Sequence, residues 1–212
     1  MNKEYYKNKV YKIGGFRKKA ILNFIKKDNP RVLDIGCGDG ELGEVIKKNK
    51  NGIVYGIEIS EAAAETAKKK IDKVFLCDLI SENVSEELKK TKFDYIIITE
   101  VLEHLLEPEK LLEKIKVLMD SETELIVSVP NILFWKNRFK IFFGKFDYTD
   151  TGLMDCGHIH FFSWKSLQKI FHDCGYEIIK ENHHVPTRGT KKLGKFFPGL
   201  FAYQFIIKTS TR

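Results

Sequence analysis

Asp34-Ile35-Gly36-Cys37-Gly38-Asp39-Gly40 is where the residue types and spacing of this 212-residue chain first promise chemistry. An apolar run, Arg31–Ile35, leads straight into three glycines at alternate positions. Such glycines permit a tight turn and close backbone approach to a ligand, with a helix N-terminus behind them. A dinucleotide fingerprint would place its third glycine at 41, but the chain has Glu41 there, so the pattern is D-x-G-x-G-x-G. A carboxylate two residues before the first glycine meets a pyrophosphate poorly and suits a cationic ligand. Glu58 closes the next apolar run, at the spacing of an acid that accepts from ribose hydroxyls. Asp78 follows the third run, in Cys77-Asp78-Leu79, where a carboxylate can accept from an adenine amino group.

These groups need a frame that brings run ends together. Strands are expected at Arg31–Ile35, Ile53–Ile57, Lys73–Cys77, Phe93–Ile98, Glu124–Val129, Tyr176–Lys180 and Leu200–Ile207. Helices are expected near 16–27, 39–49, 60–70, 107–119 and 163–174, with Pro108 in a first turn and Ser163 as an N-cap. Uninterrupted apolar runs such as Ile96-Ile97-Ile98 fit strands buried on both faces, as in parallel sheets. The alternation predicts an open α/β sheet with right-handed crossovers, whose ligands bind beyond the carboxyl ends of the strands.

Composition bounds the rest. The chain is 43% hydrophobic and 31% charged, inside the globular range, and its length suits one domain. No apolar run approaches the ~20 residues needed to cross a bilayer, and the first residues lack a secretory signal's apolar core. Four scattered cysteines, Cys37, Cys77, Cys156 and Cys174, form no CxxC pair, so reduced thiols and a cytoplasmic location are expected. The net charge of +7 comes from lysine, with only five arginines. Lysine runs such as Lys68-Lys69-Lys70 fit solvated helix faces better than base readout, so nucleic acid is not expected as a partner.

As an ordered set, VLDIGCGDGELG (32–43), GIEIS (56–60), CDL (77–79), FDYIIITEVLEHL (93–105) and LIVSVPN (125–131) resemble the motifs of class I S-adenosylmethionine-dependent methyltransferases. The resemblance implies a Rossmann-like three-layer α/β sandwich whose seven-stranded, mostly parallel sheet has an antiparallel last strand. It implies one domain over 1–212, with a cofactor-binding core at 16–130, a substrate lid at 131–164 and C-terminal strands at 165–212. It implies S-adenosylmethionine as cofactor. Asp34, Gly36, Cys37, Gly38, Asp39 and Gly40 would hold its methionine part, Glu58 and Ile59 its ribose, and Asp78 and Leu79 its adenine. Thr99, Glu100 and Val101 would line the sulfonium end. Tyr5, Tyr6 and Tyr11 would either cover the site or form a frayed end.

Absent motifs narrow the acceptor. The proline motif that holds an exocyclic base amine is replaced by Ile98-Thr99-Glu100-Val101, and no cysteine follows any proline. Glu103-His104 resembles an element of ubiquinone-biosynthesis-type O-methyltransferases, and His104 would either shuttle a proton or brace its loop. Segment 130–164 resembles a subgroup associated with glycan, surface-polysaccharide and secondary-metabolite pathways. A hydroxyl acceptor benefits from a base, for which His158 and His160 are candidates, against a role in ordering the lid. Asn131, Arg138 and Tyr148 are the other candidate substrate contacts. Arg138 would clamp an anionic group or pair with Asp147, Asp150 or Asp155.

The expected activity is therefore methyl transfer to a small molecule, at oxygen, on a sugar or secondary-metabolite precursor. A non-catalytic cofactor-binding protein and an RNA methyltransferase are the alternatives. Cys156-x-His158-x-His160 could ligate zinc, but methyl transfer needs no metal and none is expected. Lysine and phenylalanine interleave in RFKIFFGKF (138–146) and KKLGKFFPGLF (191–201), as in segments that contact a membrane peripherally.

Overall fold

The computed structural model describes residues 14–186 and 188–212; Tyr5, Tyr6 and Tyr11 lie outside them. Seven strands form one sheet: β1 (Arg31–Ile35), β2 (Ile53–Glu58), β3 (Lys73–Leu76), β4 (Tyr95–Thr99), β5 (Glu124–Pro130), β6 (Tyr176–Glu181) and β7 (Gln204–Thr211). Their order is β3-β2-β1-β4-β5-β7-β6. The β3-β2, β2-β1, β1-β4 and β4-β5 pairs are parallel. β7 runs antiparallel to both β5 and β6, which makes it the one reversed strand, as expected.

Helices cover both faces: α1 (Gly15–Phe24), α2 (Glu41–Lys50), α3 (Glu61–Ala67), α4 (Glu86–Lys90), α5 (Pro108–Ile115), α6 (Trp135–Phe142), α7 (Trp164–Asp173), α8 (Lys191–Phe196) and α9 (Pro198–Phe201). The apolar strand runs divide by pleat. Val32, Ile97, Ile126 and Ile206 pack with Ile21, Phe24, Leu42 and Ile46 of α1 and α2. Leu33, Ile96, Ile98, Val127 and Ile207 pack with Leu88, Leu112 and Phe171 of α4, α5 and α7. A side chain on each face at alternate positions is what uninterrupted isoleucine in β4 requires. Pro108 occupies the first turn of α5, and Ser163 caps α7 in a capping box with Ser166.

The strand expected over Leu200–Ile207 needs correction. Pro198 opens the short helix α9, and the strand starts at Gln204 and runs on to Thr211. The polar Thr209-Ser210-Thr211 tail is extended because β6 pairs along it. The sheet reverses its order between β1 and β4, and the glycine segment leaves β1 at that point.

Candidate active site

The glycine segment folds as its spacing demands. Gly36, Gly38 and Gly40 all have left-handed φ values, at 74°, 54° and 78°. The N–H groups of Gly36 and Cys37 donate to the Ile57 carbonyl at 2.8 and 3.1 Å, fixing the turn to the end of β2. A Cβ on Gly36 would lie 2.4 Å from Val101 Cγ2, whereas one on Gly38 would meet nothing within 4 Å. Gly38 therefore leaves open a cradle that a side chain would fill.

The acids take four different positions. Glu58 closes the loop: its Oε2 accepts from Gly38 N at 2.8 Å, and its Oε1 accepts from Ile59 N and Ser60 N at 2.9 and 2.8 Å. Those bonds fill three of the roughly four acceptor positions of a carboxylate, leaving capacity for a ligand donor. Asp78 Oδ1 accepts from Ile80 N at 3.0 Å. Asp39 pairs with Lys70 at 2.8 Å. Asp34 is buried beneath the loop, and neither of its carboxylate oxygens has a hydrogen-bond partner. Burial, and then the Glu58 charge, push its carboxyl up to about 7.

A cavity of about 790 Å³ runs along these strand ends, within the roughly 300–1,000 Å³ of small-molecule sites. Gly36, Cys37, Gly38, Asp39, Glu58, Ile59, Asp78 and Leu79 line one part of it, and Thr99, Glu100 and Val101 also line it. Gly40 caps α2 and Asp34 underlies the loop, and neither is part of the wall. The thiol of Cys37 is buried and pushed far up by desolvation, so it is a wall and not a nucleophile.

The rest of the cavity was less visible in the sequence. Glu100 has a left-handed φ of 55°, Arg17 Nη1 lies 3.0 Å from its Oε2, and Gln204 donates to its Oε1. Arg17, Tyr203 and Gln204 line the cavity from α1 and the approach to β7, a convergence that no local motif announces. His184 stacks on Phe16 with ring centroids 4.6 Å apart; burial and then the Arg17 charge hold its imidazole below the ordinary range.

His104 and His158 both line the cavity, with ring centroids 4.9 Å apart. His104 Nδ1 lies 2.8 Å from the Gly157 carbonyl and His158 Nδ1 lies 3.4 Å from that of Leu153. A carbonyl only accepts, so a neutral His104 carries its proton on Nδ1 and its basic nitrogen is Nε2. Glu103 is fully buried behind the pair, its Oε1 3.9 Å from His158 Nε2. Burial, and then the Glu100 charge, hold its carboxyl well above the carboxylate range. The Glu103 carbonyl accepts from the N–H groups of Ile159 and His160 at 3.0 and 2.9 Å, stitching the segment after β4 to the one before α7.

Four expected substrate contacts do not line this cavity. Asn131 is buried and uses its amide on the Gly199 and Ala202 carbonyls and the Leu133 N–H, bracing the chain where it leaves β5. Arg138 donates to the Leu133 and Gly199 carbonyls at 2.6 and 3.2 Å and forms an ion pair with none of the aspartates proposed for it. Tyr148 is exposed beside Phe146, and the His160 ring packs on Phe162. Cys156 is exposed and joins no metal-ligand cluster with His158 and His160 among the described residues. His158 instead joins Glu103 and His104, whose ligand-type atoms all lie within 4.8 Å of one another.

A seven-stranded sheet with one reversed strand and a glycine loop at its switch point define a class I methyltransferase fold. The chain belongs to the methyltransferase domain family, which residues 9–181 match. It is similar to a ubiquinone biosynthesis O-methyltransferase of Coxiella burnetii, 31% identical over 124 residues that make up 58% of this chain and 53% of that protein. It is also similar to an (S)-tetrahydroprotoberberine N-methyltransferase of Eschscholzia californica, 33% identical over 48% of this chain and 30% of that one. The chain thus spans about half or less of the length of the curated relatives it matches. The magnesium protoporphyrin IX methyltransferase of Synechocystis PCC 6803, solved with bound S-adenosylhomocysteine, shares the fold with a TM-score of 0.61 and 18% identity, over 100% of this chain and 94% of that one.

Proposed function

We propose that this chain binds S-adenosylmethionine and catalyses methyl transfer to a hydroxyl of a small molecule, of the sugar or secondary-metabolite-precursor kind. One observation carries the reading: a single cavity joins the glycine loop and acidic strand ends to the His104–His158 pair. The residues fit the cofactor. The Gly38 cradle is open, Glu58 and Asp78 offer acceptors to hydroxyl and amino donors, and Asp34 is an unpartnered buried acid beneath the loop. Gly36, Cys37, Gly38, Asp39, Glu58, Ile59, Asp78 and Leu79 would hold it, with Asp34 and Gly40 supporting the loop from behind and Thr99, Glu100 and Val101 toward the acceptor. When bound, S-adenosylmethionine supplies a methyl group on sulfonium, electrophilic at carbon.

The chain's own contribution is positioning and proton transfer. The Glu100 network with Arg17 and Gln204 fixes the wall facing the acceptor. His158 takes the hydroxyl proton as the oxygen becomes a nucleophile and is left as the imidazolium, and His104, whose Nδ1–H the Gly157 carbonyl holds, offers Nε2 as an acceptor beside it. Glu103 lies behind them, its carboxyl held above its ordinary range by burial, with Oε1 3.9 Å from His158 Nε2. Oxygen as the methylated atom draws support from the ubiquinone biosynthesis relative, although the Eschscholzia relative methylates nitrogen by name.

Incubating the protein with methyl-labelled cofactor and fractionated cell extract tests the proposal. Label is expected in a small hydroxylated product, and replacing His104 and His158 by alanine together should remove it. Label in RNA, or cofactor binding with no labelled fraction, would favour one of the two alternatives instead.

A further inference from the structure

Two neighbouring segments carry a surface that the proposed reaction does not use. Residues 135–146 hold Lys136, Arg138, Lys140 and Lys145 with no acid, and residues 191–201 hold Lys191, Lys192 and Lys195, again with no acid. Phe139, Phe142, Phe143 and Phe146 stand exposed in the first, and Phe196 and Phe197 in the second. Among the described residues, every exposed phenylalanine except Phe16 lies in these two segments. The segments adjoin: Arg138 Nη2 and Asn131 Nδ2 both donate to the Gly199 carbonyl, each at 3.2 Å. The second segment also borders the site, since Phe16 lines both the main cavity and a smaller one of about 460 Å³ walled by Lys191, Gly194 and Lys195 of α8.

We propose that this surface docks the chain on an anionic lipid bilayer. Exposed rings gathered this densely mark a binding surface, and what lies between them identifies the occupant. The core of a protein–protein interface is depleted of lysine, but here a lysine directly adjoins three of the six rings, Phe139, Phe146 and Phe196, and the other three each lie within three positions of a lysine. At the headgroup boundary of a bilayer the two chemistries fit side by side: rings enter the acyl edge, while lysine stems lie along it and their ammonium groups reach lipid phosphates. No helix among the described residues is long and apolar enough to cross a membrane, and the short α6, α8 and α9 suit contact along the surface. Docked this way, the cavity bordered by Phe16 would lie beside the bilayer.

The test is co-sedimentation of the full chain with vesicles of phosphatidylcholine alone and of phosphatidylcholine mixed with phosphatidylglycerol. Binding to the mixed vesicles, weaker binding to the neutral ones, and loss of the difference in high salt are expected. Replacing Phe142 and Phe196 by serine together should lower the partition coefficient by about tenfold or more. Both rings are largely exposed, at 82% and 79%, so the circular dichroism spectrum should not change. Lys140→Glu with Lys195→Glu should abolish the preference for anionic vesicles. Failure to bind either vesicle overturns the proposal, as does equal binding to both or wild-type partition by the serine variant. Dimerisation through Phe142 and Phe196 without vesicle binding, seen by sedimentation velocity, assigns the surface to a second copy. RNA binding that outcompetes the vesicles assigns it to nucleic acid.

Discussion

Glu58 Oε2 accepts the Gly38 N–H at 2.8 Å, so the acid at the end of β2 holds the glycine loop that leaves β1. One carboxylate is at once a strut for the loop and a wall of the cavity. Glu58→Gln keeps two acceptor positions but loses the charge that three N–H donors face. Glu58→Ala removes both, leaves those N–H groups without their acceptor and is expected to destabilise the fold by ~1–3 kcal/mol. Both variants should weaken S-adenosylhomocysteine binding, alanine more. Chemical denaturation and calorimetry on the same samples separate the two effects.

Gly36 and Gly38 are expected to respond differently to alanine. Both have left-handed φ, which costs an L-residue roughly 1–2 kcal/mol. Gly36→Ala adds a collision at 2.4 Å with Val101, while Gly38→Ala adds none. Denaturation midpoints should therefore fall further for Gly36→Ala. Equal losses would contradict this assignment of the loop's packing.

Asp34 makes stability depend on pH in a direction opposite to that of a salt-bridged acid. Its folded carboxyl titrates at about 7 and its ordinary value is 3.8. Between those values the folded state keeps a proton that the unfolded state has released, so stability falls as pH rises through the window and levels off above about 7. Asparagine stays neutral throughout. Asp34→Asn should match wild type near pH 4 and exceed it near pH 8 by a few kcal/mol, on the order of 1.4 per pKa unit. Thermal melts across pH decide it, and a variant with a constant offset would show that Asp34 is not the titrating group.

Arg138 ties α6 to α9 and to the chain after β5 through carbonyls and does not line the cavity. Arg138→Ala should lower stability by about 1 kcal/mol and leave cofactor affinity unchanged. Once an acceptor is known, its KM should also hold steady. A large rise in KM alone would return Arg138 to the role of substrate clamp.

What the sequence disclosed follows from how local each signal is. The strand ends carrying Asp34, Glu58 and Asp78 were legible because an apolar run, a turn and an acid are neighbours in the chain, and the β1–β2 and β2–β3 registers then set them side by side. The start of β7 was not, because apolar Leu200-Phe201 reads as strand while Pro198 opens a helical turn and cross-strand pairing extends polar Thr209–Thr211. Helix α6 was missed for a related reason: its rings face solvent, so no apolar stripe marks it. Asn131, Arg138 and His160 looked like substrate contacts because polar groups near a lid suggest them, yet each is occupied by backbone or ring packing. Arg17, Gln204 and the buried Glu103 gained their places only through tertiary contact.

Calorimetric titration of S-adenosylhomocysteine into the wild type and Gly38→Arg tests the central claim most directly. One site per chain is expected in the wild type. Gly38→Arg, whose side chain would grow into the open cradle, is expected to abolish binding while circular dichroism shows the fold intact. No binding by the wild type, or wild-type affinity in the folded arginine variant, would contradict the placement of the cofactor on this loop.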